Sequence, residues 1–262
     1  MKLSPLLRQF WSALIIYVAI ALMTAVLCGI SLGWIAACLT LSLFAMVLII
    51  AFLTCQPLLV TGLPQVWRGR PLSEADYQSL DLSLLDSYSE ALLALGFQPL
   101  QDYTQGTGPV RSMARCFGHP EQCCFAEVGW RGGALQQISH TVFFSILDRG
   151  WMLVDLNHSP SRRDSLAYTW RHHREVRRYH PDLLIDGVFH QHLFKRQAMI
   201  EDLKVNVLPS ISWEIYSEIQ QELVRRPTQT LRQKNLLVAM IQATRFEQQP
   251  SREWLGAYAP RQ

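Results

Sequence analysis

Residues 9–67, running from Gln9-Phe10-Trp11-Ser12-Ala13-Leu14 to Pro64-Gln65-Val66-Trp67, contain no Asp, Glu, Lys, Arg or His. All 21 acidic residues come later, beginning at Glu74. A single helix over residues 10–56 would reach about 70 Å, more than twice a hydrocarbon core of about 30 Å. The stretch must therefore fold back. Its one internal turn signal is Gly29-Ile30-Ser31-Leu32-Gly33. That divides it into two spans, about 10–29 and 34–56, each near the 20 residues that a crossing needs. The segment is too long for a cleaved signal, whose apolar part runs about 7–15 residues. A helical core hairpin of a soluble protein would carry charge on at least one face. The sequence thus predicts a two-helix transmembrane hairpin.

Working outward, Lys2 and Arg8 precede the hairpin and Arg68 and Arg70 follow it, while the turn between has no cation. Cations are retained on the cytoplasmic side. The expected placement is multi-pass, in a bacterial cytoplasmic membrane, with both termini inside. Trp11, Trp34 and Trp67 fall where indoles anchor at the interfaces. Polar side chains in the spans are Ser12, Tyr17, Thr24, Ser31, Thr40, Ser42 and Thr54. With no ionisable group, the hairpin reads as an anchor or assembly surface rather than a transport path. The small residues Ala13/Ala21/Ala25 and Gly33/Ala36/Ala37 could let helices approach closely.

The remaining chain is long enough for one globular domain. Residues 1–9 form a tail, 57–80 a connector marked by Pro57, Pro64 and Pro71, and 81–262 a cytoplasmic domain. A helix is predicted from Ser83 to about Leu95. Strands follow at Val110–Gly118, Cys123–Trp130, Ile138–Leu147 and Trp151–Asn157, with hairpin turns at His119–Gln122 and Asp148-Arg149-Gly150. Helices are then expected over 163–180, 182–205, 211–225 and 229–247, punctuated by Pro181, Pro209 and Pro227. Segregated strands and helices predict an α+β domain: a four-stranded antiparallel meander followed by helices.

Metal-ligating residue types cluster at Cys116-x2-His119-x3-Cys123-Cys124. With Pro120-Glu121 in the turn, His119 and Cys124 share one sheet face and Cys116 and Cys123 the other, so four ligands cannot converge. His173, Arg177 and His180 would share one helix face, and their arginine neighbours would repel a cation. No metal site and no cofactor is expected; Cys116, His119, Cys123, Cys124, His173 and His180 are the residues that one would use. Arg171, Arg174, Arg177 and Arg178 form a basic stretch suited to anionic lipid head groups or a partner. Nucleic acid is disfavoured by the small net charge of +3 and the absence of a reader motif. Gly106-Thr107-Gly108-Pro109 is no phosphate cradle. Ser139-His140 and Asp155-x2-His158 offer triad residue types without a nucleophile elbow.

The resulting expectation is a membrane-anchored, non-catalytic accessory or assembly subunit that binds a partner protein. The alternatives are a metal-dependent membrane-bound enzyme using the Cys/His clusters and a pH or small-molecule sensor, since histidines titrate near neutrality.

Overall fold

The structure is a computed structural model, and it describes residues 4–62, 66–77, 82–105, 112–131, 137–161, 164–234 and 236–259. Lys2, Arg162, Arg163 and the Gly106–Pro109 loop lie outside the described residues. The chain groups into two compact units, each assembled from separated stretches.

The first unit comprises Met1–Pro64, Ser161–Trp170 and Arg226–Pro250. Helices α1 (Pro5–Leu32) and α2 (Trp34–Gly62) form the hairpin. Both are long and apolar enough to span a membrane. Ser4 caps α1, accepting the Leu7 N–H, and Pro5 stands at the first helical position, where its missing N–H costs nothing. Gly33 turns the chain at φ +89°, a conformation that a side chain would oppose. A Cβ on Gly29 would lie 3.4 Å from that of Ala37, so small residues set the spacing at the turn.

Ala21 and Ala25 are buried, whereas Ile15, Leu27 and Leu39 are each at least 60% exposed. The polar side chains satisfy themselves inside the hairpin. Ser12, Thr24, Ser31, Thr40, Ser42 and Thr54 each donate to the carbonyl four residues back, and Tyr17 donates to Phe44 O across the hairpin at 2.5 Å. Pairing these seven side chains with backbone oxygens suits a lipid environment, which offers polar groups no other partner.

Two later helices complete this unit, α5 (Asp164–Thr169) and α8 (Leu236–Gln248). Tyr168 stacks on Phe246 at 4.8 Å. Thr244 accepts the Trp11 indole N–H at 2.7 Å, and the buried Glu247 carboxylate accepts the Ser4 N–H at 2.6 Å. A carboxylate at a helix N-terminus is favoured by the helix dipole as well.

The second unit comprises Gln65–Pro160, Arg171–Arg225 and Ser251–Gln262. It holds an eight-stranded sheet in sequence order, not the four-stranded meander expected. Its strands are β1 (Gly69–Pro71), β2 (Gln98–Gln105), β3 (Ser112–His119), β4 (Cys124–Arg131), β5 (Gln137–Leu147), β6 (Trp151–Leu156), β7 (Glu175–Tyr179) and β8 (Glu253–Trp254). All neighbours pair antiparallel except β6 and β7. Strands near the four expected positions form its centre. Strands β1 and β2 extend it on one side, β7 and β8 on the other.

Stretch 163–180 is not one helix. It holds the short α5 and then β7, whose Glu175-Val176-Arg177-Arg178-Tyr179 pairs with β6 from Met152↔Glu175 to Leu156↔Tyr179. Pro227 also fails to end a helix, since α7 runs Trp213–Gln233 with that proline inside.

Side-chain alternation gives the sheet two faces. After the four-residue α3 (Glu74–Tyr77), helices α4 (Ser83–Ala94) and α6 (Ile185–Leu203) cover one. There Phe97, Phe117, Phe143, Val188 and Phe189 form one apolar cluster, and Leu147, Leu153, Val176 and Met199 another. Tyr216 of α7 packs on the opposite face against Phe125 and Phe144. The chain before α7 also presses there, since a Cβ on Gly118 would come within 2.0 Å of Ile211.

Candidate functional site

Asp155 stands within Trp151-Met152-Leu153-Val154-Asp155-Leu156, a strand buried at every position. A buried carboxylate needs partners, and Asp155 has several. Its Oδ1 lies 2.7 Å from His180 Nε2 and 2.8 Å from Arg178 Nε. The Arg178 Nε–H is not aligned for a hydrogen bond, so this contact is Coulombic. Oδ2 lies 2.7 Å from Nδ1 of His192, on α6. His192 Nε2 is 2.8 Å from Ser145 Oγ, on β5, and Arg196 Nη1 is 3.3 Å from the same oxygen. Arg196 also donates to the backbone oxygen of Gln122 and, at 3.1 Å, to its side-chain oxygen.

These residues meet because Ser145, Asp155 and Arg178 project from the same face of β5, β6 and β7, with Asp155 paired to Arg178 in register. His192 and Arg196 are one helical turn apart on the inner face of α6. Burial pushes the Asp155 carboxyl up, but His180, His192 and Arg178 outweigh it and hold the group below the usual range. Burial dominates at His192 and lowers its pKa, keeping the ring neutral near pH 7. Ser145, Asp155 and His192 are all fully buried.

A second buried carboxylate occupies the opposite face. Glu127 Oε2 accepts the hydroxyls of Tyr103, at 3.0 Å, and Tyr216. Its Oε1 lies 2.7 Å from His140 Nε2. Burial raises the Glu127 pKa, yet His140 and the two hydroxyls leave it lowered overall. Aromatic rings continue outward, with Trp213 stacked on Tyr216 at 5.4 Å and Trp67 5.7 Å from Trp213. Beyond them lies an open cleft of about 560 Å³. Trp67, Pro71 and Trp213 line it with Ser217, Glu218, Gln221, Glu222 and Arg225.

The Cys/His candidates do not assemble. Cys124 pairs with His119 and shares its face; Cys116 pairs with Glu127 on the other. Cys123 stands in the turn at φ +48°. Burial pushes the Cys124 thiol up to about 12 and Cys116 well above its ordinary value, which makes both poor thiolates. His119 packs between Phe97 and Phe189. His173 does not share a helical face with His180, because neither is helical. Among the described residues no group of three His, Cys, Asp or Glu is arranged to hold a metal.

The basic stretch is dismantled as a helix face. Arg171 and Arg174 precede β7, and Arg174 donates to Arg149 O. Arg177 and Arg178 point to opposite faces: the first pairs with Glu175 and lies over the Trp254 ring, the second faces Asp155. Of the tryptophans, Trp11 bonds to α8, Trp34 is 75% exposed, and Trp67 lies in the aromatic cluster.

The triad residue types flagged in the sequence are present with different partners. Asp155 bonds to His192 rather than His158, and His140 to Glu127. One signal could have found the site: a lone Asp inside a continuously apolar strand. No protein-family model, no curated protein and no solved structure matches the chain.

Proposed function

We propose that the chain is a membrane-anchored accessory or assembly subunit whose second unit docks a partner protein. In this reading the hairpin crosses a cytoplasmic membrane twice with both termini inside. Arg8, Arg68 and Arg70 support that orientation through the cation bias. The bonds from Ser4 and Trp11 to α8 support it too, since they tie the start of α1 to the C-terminal part of the chain.

The observation that carries the docking reading is the cleft beside Trp67 and Trp213. Its floor is aromatic and its rim polar, and Trp, Tyr and Arg are the residues that dominate interface energetics. Two carboxylates against one guanidinium on the rim favour a partner segment that brings an apolar side chain flanked by a cation.

A photocrosslinking amino acid at Ser217 tests this in native membranes. One discrete adduct is expected, weakened at least tenfold by Glu218→Lys and absent with the probe at Gln197 on α6. An adduct indifferent to Glu218→Lys, or no adduct from Ser217, overturns the assignment of the cleft.

A further inference from the structure

We propose that Ser145 is a gated nucleophile for acyl transfer from carboxylic esters, with His192 as its base. The direction of the hydrogen bonds carries the argument. A carboxylate only accepts, so His192 must donate its Nδ1–H to Asp155. The lone pair of the neutral ring then sits on Nε2, 2.8 Å from Ser145 Oγ, and the serine must donate to it. That is the relay by which a serine is activated in acyl transfer: geometry and roles define it rather than position in the chain. Asp155 acts through His192 and is a positioning residue. The Arg196 guanidinium, whose Nη1 lies 3.3 Å from Oγ, brings positive charge beside the serine.

The substrate class follows from the walls. Phe143 and Leu147 flank Ser145 on its own strand face, and Met199 packs with Leu147. All three are fully buried, so an acyl group that enters when the site opens meets an apolar lining. In the step, Oγ bonds to the ester carbonyl carbon while its proton moves to His192 Nε2. Collapse of the tetrahedral intermediate breaks the bond to the alcohol oxygen, which leaves with that proton. Water then repeats the sequence on the acyl-serine and releases the carboxylic acid.

Ser145 is fully buried, so the site must open. Arg196 links Ser145 to the turn between β3 and β4, and we take that turn as the part that opens. Arg196 holds both Gln122 oxygens, and the Cys123 thiol reaches Pro209 O at 3.5 Å. Cys123 itself is left-handed, a conformation that costs roughly 1–2 kcal/mol without glycine. The turn tip, Pro120 and Glu121, is exposed. Loss of the Arg196–Gln122 latch would free the turn and relax Cys123 together.

The test is labelling of the full chain, in detergent micelles, by an alkyl fluorophosphonate. Fluoride leaves phosphorus as Oγ bonds to it, and the hydroxyl proton passes to His192. The adduct should map to Ser145 by peptide mass and vanish in Ser145→Ala. Gln122→Ala, on the turn, should raise the labelling rate at least fivefold, and His192→Gln should lower it at least tenfold. No Ser145 adduct in either the parent or Gln122→Ala protein overturns the proposal. So does an unchanged rate in a His192→Gln protein that keeps its melting temperature.

Discussion

Asp155 and Glu127 are buried on opposite faces of the sheet and solve the same electrostatic problem by different means. Asp155 is surrounded by nitrogen: two imidazoles and the Arg178 guanidinium, with Arg196 one serine away. Glu127 is surrounded mainly by hydroxyl oxygen, from Tyr103 and Tyr216, plus one imidazole. The first arrangement sets one guanidinium and two ring nitrogens against the carboxylate in a dry setting, so every member depends on the others. The second spreads a single charge over neutral donors, each replaceable in part. The lesson is that burial alone does not set how fragile a buried carboxylate is.

The largest test of that difference removes the charges. Asp155→Asn leaves Arg178 without its counter-charge in the interior and should lower unfolding free energy by about 3–5 kcal/mol. Glu127→Gln keeps an acceptor for both tyrosines and should cost about 1–3 kcal/mol. Urea denaturation of both variants in the same detergent measures this. Equal losses would break the comparison.

The pH dependence should also separate the faces. The folded His192 pKa is lowered, so the unfolded chain takes up its proton first as pH falls through about 6.5. Stability present above that pH is lost below it, by at most about 1.4 kcal/mol per pH unit for one proton. Glu127 is lowered from the carboxyl range, so its contribution is present above about pH 4.3 and declines only below it. Hydrogen exchange between pH 6.5 and 5 should therefore accelerate at β5, β6 and α6 before β2, β3 and the start of α7. Simultaneous loosening would remove the distinction.

The smallest effect is expected at the hydroxyls. Tyr216→Phe removes one of two donors to Glu127 Oε2 and keeps the ring stack on Trp213, and should cost about 1 kcal/mol in thermal unfolding. A loss as large as that of Asp155→Asn would mean that the hydroxyl cluster is as interdependent as the charged one.

The hairpin was legible because a long charge-free run has few other physical solutions. The central strands were legible through Thr141-Val142-Phe143-Phe144 and their turn residues. Strand β7 was not. Its arginines suggested a solvated helix, and only the register opposite β6 shows Arg178 spent on Asp155 and Arg177 on Glu175 and Trp254. Strands β1 and β8 span three and two residues, too short for any periodicity. Of the candidate site, Asp155 was visible as a residue, but its partner was not. Ser145 lies 47 positions from His192, and no local pattern encodes a contact made across a sheet and a helix.

The bond between the Ser4 N–H and Glu247 spans 243 positions of chain. At a synthesis rate of about 5–20 residues per second, the start of α1 is made some 12–50 s before the carboxylate that satisfies it. For that interval the first helix is exposed with its N-terminal amide unpaired by the protein, and the unit it belongs to exists only in part. The unit is consequently completed only late in synthesis, and a ribosome that stops before α8 releases a hairpin without the helix that accepts the Ser4 and Trp11 N–H groups.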